Sequence, residues 1–291
     1  MQDFGSGRTV RVRKASGELE AFDSGKLEQS LRAAGADEAM AAEILADIAG
    51  WLTEGVSTRK IYARALSRLG RRKKIAGARY RVKNALMELG PTGHPFEAFT
   101  GEIFRARGYA TEVAVTVDGA AVTHEMDVIA TGSGRQHLVE CKYSQSRDGH
   151  VSIQVPMYVR SRVDDIVAVR RNRAEFADLR FVGWVVTNTR FSDDSMRFSA
   201  HYGIELLSWD YPVGEGLREI IDRDRLYPVT VLQTLNQREK EGLVALGLVT
   251  CSLLEQNRQA VEELRLGASR KEALRRELGE ILDGRSVSHG L

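Results

Sequence analysis

The first chemical signal in this sequence comes from two acids and a lysine: Asp127, just ahead of Val128-Ile129-Ala130, and the run Glu140-Cys141-Lys142, just behind His137-Leu138-Val139. Each acid adjoins an apolar run of strand composition. Antiparallel neighbours would bring the two carboxylates together at one edge of a sheet. Paired oxygen ligands of that kind suit Mg²⁺ or Mn²⁺, and like charges held so close call for a cation between them. Side chains alternate along a strand, so Lys142 shares a face with Glu140 and stands beside such a metal. An ammonium there can orient a water or stabilise charge growing on a phosphate oxygen. A further acid can come from the preceding helix, Glu97 first and Glu102 second. Isolated Asp and E-x-K patterns also arise by chance on solvated strands. What sets this one apart is its order: helix acid, strand Asp, hairpin, strand E-x-K.

The elements that must position these residues are legible from periodicity. Residues 8–22 read as a β-hairpin turning at Ser16-Gly17. Leu27, Leu31 and Ala34 mark a helix ending at Gly35; Met40, Ile44, Ile48 and Trp51 mark another behind the cap Asp37. Two more helices are expected at about Thr58 to Leu69 and Gly77 to Leu89, before the stretch Gly90 to Pro95 that reads as a domain boundary. A helix from Phe96 to Arg107 follows, then strands near 110–117, 122–131 and 136–143, a helix from Val155 to Arg171, and strands at Phe181 to Thr187 and Ile204 to Trp209 around a helix from Asp193 to Tyr202. From Tyr227 the chain reads as helical. Its two glycine passages, around Gly247 and Gly267, suit either a pair of helix-hairpin-helix units meeting DNA phosphates or a plain packing tail.

Those residues carry a resemblance. Gly93 to Glu97, Ala106 to Tyr109, His124 to Ile129 and Val139 to Tyr143 together resemble the catalytic core of Mrr-like restriction endonucleases of the PD-(D/E)XK superfamily and of archaeal-type Holliday junction resolvases, over about residues 93 to 210. The resemblance implies metal-binding acids at Glu97, Asp127 and Glu140, with Cys141 counted in the metal set, and a catalytic lysine at Lys142. Many Mrr-like members have Gln where this chain has Glu140. The chain also departs from the common Gly-Asp-Gly-Gly-Ile-Asp form in having His124-Glu125. Gln154 and Tyr158 on the next helix either brace the site or pack. The run Trp184 to Ser192 resembles the later strand and helix start of the same core; its hydroxyls and amides serve either a phosphate or an N-cap.

A second resemblance covers about residues 8 to 89. The stretch Val12 to Leu27, with Gly55 to Thr58 and Ala78 to Arg81, resembles the ATP-cone, the allosteric nucleotide domain of ribonucleotide reductases and their regulator. It implies ATP or dATP contacts at Lys14, Glu20, Asp23, Lys26 and Thr58. A turn with free amides and flanking lysines makes chemical sense as a triphosphate cradle. The family often has Lys-Arg before its turn, where this chain has Ala15. A helical cap kept only for assembly is the other reading.

Composition excludes several classes. The 291 residues, 43% hydrophobic, suffice for two domains or a little more. No apolar run approaches the roughly 18 residues of a membrane span, and Met1 to Arg13 lacks the apolar stretch of a signal peptide, so a cytoplasmic protein without membrane partners is expected. Cys141 and Cys251 are too few for the zinc ribbon of the ATP-cone regulator or the redox chemistry of a reductase. A net charge of +2 identifies no nucleic-acid binder. The basic runs Arg71 to Lys74, continued by Arg79, Arg81 and Lys83, and Arg170 to Arg173 fit a solvated helical face or a phosphate patch equally. The expectation is a multidomain α/β protein: a hairpin and helical bundle over 1–92, a mixed-sheet restriction-endonuclease-like core over 93–225, and a helical domain over 226–291. Its expected activity is metal-dependent DNA cleavage under nucleotide control, in a dimer or larger homo-oligomer. The alternative is a non-catalytic, nucleotide-responsive DNA-binding protein.

Overall fold

A computed structural model describes residues 10–14, 16–72, 74–146 and 149–283. The readings of Met1 to Thr9, Ala15 and Lys73 lie outside the described residues, as do the side chains of the rest of the Arg71 to Lys74 run. The described residues form two compact units, one of those up to 81 together with 279–283 and one of those from 82 to 278. The limits expected at 92 and 225 do not coincide with that division. One reason is that the second half of the fourth helix is tied into the larger unit: the Tyr143 hydroxyl donates to the Met87 carbonyl and the Thr230 hydroxyl to the Ala85 carbonyl.

In the smaller unit, β1 (Arg11–Arg13) and β2 (Leu19–Ala21) form the expected hairpin, turning through Gly17 at φ 90°. Helices α1 (Ser24–Ala33) and α2 (Glu38–Trp51) start where Asp23 and Asp37 accept hydrogen bonds from the backbone N–H of Lys26 and Met40. Then come α3 (Thr58–Arg72) and α4 (Lys74–Met87). Leu31, Ile44, Ile48, Ala65 and Leu69 share one core with Val12 of the hairpin.

The larger unit is built on a five-stranded sheet between helices. The helix α5 (His94–Ala106) precedes β3 (Ala110–Asp118), β4 (Thr123–Gly132) and β5 (Arg135–Lys142), an antiparallel meander. A short β6 (His150–Val151) leads into α6 (Gln154–Arg170) and β7 (Arg180–Thr187). Then β8 (Arg190–Phe191), α7 (Asp193–Tyr202) and β9 (Ile204–Leu207) complete the core. The order β3-β4-β5-β7-β9 is antiparallel up to β5 and parallel beyond it. Phe96, Phe99, Ile103 and Phe104 of α5 are fully buried on one face of the sheet, each contributing about 1.5–3 kcal/mol. On the other face Leu138, Val185 and Ile204 pack with Val159, Val163 and Ile166 of α6. Gly183 permits that approach: a Cβ there would stand 2.9 Å from Ile204 Cδ1 and 3.0 Å from Val163 Cγ2.

Beyond the sheet come α8 (Leu217–Arg223), α9 (Gln237–Ala245), α10 (Cys251–Gln256), α11 (Arg258–Glu263) and α12 (Ala268–Asp283). The glycine passages are not two copies of one turn. Gly247 takes a left-handed φ of 77°, after which the Val229 N–H donates to the Val249 carbonyl and Pro228 bridges Thr250; Gly267 adopts no left-handed backbone. The second basic run is also not one patch: Arg170 is buried, bonded to Gln136 and stacked over Phe176, and Arg173 pairs with Asp118. Among the described residues no helix is long and apolar enough to cross a membrane.

Candidate active site

The alternation of β5 puts Leu138, Glu140 and Lys142 toward α6, and His137 and Cys141 toward α5. Glu140, only 4% exposed, is held on both oxygens. Its Oε1 accepts from the Tyr158 hydroxyl at 2.6 Å and from Lys142 Nζ at 2.7 Å, while Oε2 accepts from Arg162 at 2.5 Å. Lys142 lies on the same sheet face as Glu140, as strand alternation requires. Burial works against the lysine's charge, but its bonds to Glu140 and Tyr158 outweigh it and hold the ammonium well above its ordinary pKa. Burial and the facing Glu140 carboxylate push the Tyr158 hydroxyl up to about 12.

Asp127 lies where β4 is irregular. The β3–β4 register runs through Val113↔Val128 and Val115↔Met126 but skips Ala114 and Asp127, and Ala114 takes a φ of 55°. Pairing with β5 stops at Val128↔Val139, so Asp127 is the next position along, facing Glu140. Irregular pairing of this kind re-aims a side chain. The Asp127 carboxylate accepts the backbone N–H of Cys141 at 2.6 Å. Burial, then the nearby charges of Glu140 and Glu97, push its pKa up to about 7, against the pull of that N–H and of Lys142. Burial and the same three acids raise the Cys141 thiol, which therefore stays protonated on the α5 side.

Glu97, in the first turn of α5, accepts from or shares a proton with His94 Nδ1 at 3.1 Å, and the pair raises the pKa of the exposed His94 ring. Glu102 pairs instead with Arg105 and exerts no such influence on Asp127. Asp127, Glu140 and Glu97 thus crowd negative charge near the C-terminal end of β5. As a donor set they suit a hard divalent cation, because Asp127 has no salt-bridge partner among the described residues and is electrostatically strained without one. They do not form a closed cage: among the described residues no cluster of three His, Cys, Asp or Glu side chains converges on one ion position. The Glu140 oxygens are turned to Tyr158 and Arg162 of α6. Within this set Cys141 contributes its backbone N–H to Asp127, and its thiol points away.

Arg162 is the residue that sequence reasoning missed. Gln154, Tyr158 and Arg162 recur every fourth position on α6, a spacing that places them on one helix face. The departure at His124-Glu125 also finds its place. His124 Nε2 meets Asp165 at 2.7 Å, and Asp165 accepts from the backbone of Ala121 and Val122, tying the β3–β4 turn to α6. The hydroxyls of Trp184 to Ser192 are used internally. Thr187 donates to the Lys142 carbonyl, Asn188 exchanges two hydrogen bonds with the Ser144 backbone, and Ser192 caps α7 through the Ser195 N–H.

In the smaller unit the suggested nucleotide contacts fall into two groups. Lys14, at the turn end of the hairpin, pairs with Glu20 at 2.7 Å, and the bridge between Arg13 and Ser57 brings Thr58 alongside. Asp23 and Lys26 lie past the open end of the hairpin, in the first turn of α1.

A family model described as restriction endonuclease, Mrr_cat, matches residues 90–211. A second, described as AF1548-like, C-terminal, matches residues 227–282. An uncharacterized protein of Archaeoglobus fulgidus is 28% identical over 173 residues, 58% of this chain and 91% of that protein. The crystal structure of the protein of unknown function AF1548 covers 67% of this chain and 100% of its own, at 25% identity and a TM-score of 0.53. The MspJI restriction endonuclease in complex with a 27-mer oligonucleotide aligns at 16% identity and a TM-score of 0.30, over 69% of this chain and 39% of its own, too loosely to register a site. Residues 90–211 are thus similar to a restriction endonuclease domain, and Glu97, Asp127, Glu140 and Lys142 all fall within the matched segment.

Proposed function

We propose that the chain is a divalent-metal-dependent DNA endonuclease that hydrolyses phosphodiester bonds, with ATP or dATP as a regulatory ligand of the smaller unit. The observation that carries this reading is the meeting of Asp127, Glu140 and Lys142 at the C-terminal end of β5, inside the segment that matches the restriction endonuclease model. Asp127 and Glu140, with Glu97 behind them, are the residues that would hold Mg²⁺ or Mn²⁺. Such an ion supplies charge for a phosphate oxygen and a more acidic water. Lys142 keeps its proton, so its part is to orient the attacking water and neutralise charge on the phosphate rather than to act as a base. Cys141 fixes Asp127 by its backbone, and Tyr158 fixes Glu140 from α6. Cutting both strands of a duplex ordinarily needs two sites, which favours a dimer or larger assembly.

A second reading is favoured by Glu140 itself, whose two oxygens are already satisfied by cations and a hydroxyl. On that reading the domain binds DNA without cutting it. The deciding experiment incubates the purified protein with plasmid, methylated plasmid and a synthetic four-way junction, with Mg²⁺ or Mn²⁺ and with or without ATP. Metal-dependent cleavage of any of these supports the nuclease. Binding without cleavage under every condition supports the second reading.

A further inference from the structure

The positive charges of this site are unevenly shared. Glu140 receives two cations, Lys142 on one oxygen and Arg162 on the other, while Asp127 has a backbone N–H and no salt bridge among the described residues. Arg162 is also held in place from three sides. Besides Glu140 it donates to the Glu125 carbonyl at 3.2 Å, and its guanidinium lies over the Tyr158 ring, 5.3 Å from the centroid. Its side chain is 26% exposed and that of Glu140 5%, so the pairing is largely shielded from solvent.

A carboxylate that bonds a guanidinium through one oxygen and an ammonium through the other has little left to offer a metal ion. Any divalent ion that takes Glu140 as a ligand must first displace one of them. Lys142 has a part of its own in the proposed chemistry, and Arg162 has none. We infer that Arg162 is a positioning residue that acts as a built-in counter-cation: it holds Glu140 in the metal-free protein and competes with the divalent ion for it, so that it sets the metal concentration at which the site fills. The inference rests on the nuclease reading, because it takes Glu140 to be a metal ligand.

Two forces act in the same direction. A guanidinium beside the ion repels its double charge, and the Arg162–Glu140 bond must be exchanged as the ion enters. Nothing comparable follows from Tyr158, whose hydroxyl is neutral and can keep its bond to Oε1 while the ion approaches Oε2. Charge competition and general loosening of the site therefore predict different orders of affinity among variants.

The test is a calorimetric Mn²⁺ titration of the full chain, free of DNA, for wild type, Arg162→Gln, Arg162→Lys and Tyr158→Phe, with melting curves to show that each folds. Arg162→Met, which keeps the aliphatic stem against Tyr158, is a second neutral variant should the glutamine not fold. The expected result is Mn²⁺ binding about tenfold tighter in the neutral variants, with Arg162→Lys and Tyr158→Phe within about threefold of wild type. Unchanged or weaker binding in folded neutral variants overturns the inference and leaves the nuclease reading standing, since wild type still binds. Equal tightening by Tyr158→Phe would show loosening rather than competition and also overturns it. If neither wild type nor the neutral variants bind Mn²⁺ at millimolar concentration, the metal site itself is wrong and both readings fall.

Discussion

Asp127 is the residue on which the metal reading bears most directly, because burial and two neighbouring carboxylates make its charge costly in the metal-free protein. Asp127→Asn should therefore abolish cleavage, by roughly a thousandfold or more, since the metal set acts as a unit. It should also stabilise the metal-free protein by about 1–2 kcal/mol, since an amide keeps the Cys141 hydrogen bond and removes the like-charge crowding. Thermal melting in chelator, compared with melting in Mg²⁺, checks both halves: metal should raise the wild-type transition and leave the variant unmoved. A less stable Asp127→Asn protein would show that the carboxylate is structurally paired rather than awaiting a cation. His137, at the other end of β5, allows a pH prediction independent of the site. Its Nδ1 accepts the Trp184 indole N–H at 2.9 Å, so its proton sits on Nε2, which is buried without a partner among the described residues. Burial, then the charges of Arg135 and Arg107, lower its pKa to about 4. The unfolded chain takes up this proton near pH 6.5 and the folded protein near 4. Stability is thus fully present above about 6.5 and is lost as pH falls through that window, by on the order of 3 kcal/mol. His137→Gln, which keeps an acceptor for Trp184, should lose less stability between pH 7 and 4.5; an identical loss would place the acid sensitivity elsewhere.

At the scale of elements, the sheet was readable where local pattern decides and unreadable where distant pairing does. The Glu140–Lys142 alternation, the caps at Asp37 and Ser192 and the spans of α5, α6 and α7 follow from neighbouring residues, and the structure keeps them. Arg162 was hidden because an arginine on a charged helix reads as solvated; only the fourfold recurrence from Gln154 through Tyr158 pointed to it. Arg170 was misread for the same reason, its partner Gln136 lying on β5 and invisible to any local window. The glycine passages looked alike in sequence, but the pairing of Val229 with Val249 is set by residues some way off in the chain and makes them different. The contact between α6 and β7 at Gly183 gives the prediction at this scale. Gly183→Ala puts a methyl against Ile204 Cδ1 and Val163 Cγ2 with no open side to turn to. It should cost about 1–3 kcal/mol through overpacking. A urea midpoint equal to wild type would mean that α6 can slide without penalty.

At the scale of the whole molecule, the proposed nucleotide contacts fall at two chemically different places in the smaller unit, and that division decides which lysine to test. Lys14, Glu20 and Thr58 gather at the turn end of the hairpin, where Gly17 leaves the backbone open, while Lys26 stands with Asp23 at the start of α1. A triphosphate cradled by the turn would be held by Lys14 and the amides around Gly17, with the Thr58 hydroxyl beside them. Lys26 would at most meet the far end of the nucleotide. Lys14→Ala should then raise the Kd for ATP or dATP about tenfold, and Lys26→Ala by less. The nucleotide alters cleavage only if it binds one state of the protein better than another, and the change cannot exceed that difference in affinity. Calorimetry on the full chain measures the affinity, sedimentation velocity with and without nucleotide reads the assembly state, and cleavage rates read the coupling. Lys14→Ala should weaken all three responses together. Nucleotide binding that survives Lys14→Ala but fails in Lys26→Ala would move the site to α1, and no binding at millimolar ATP or dATP would leave the smaller unit a structural cap.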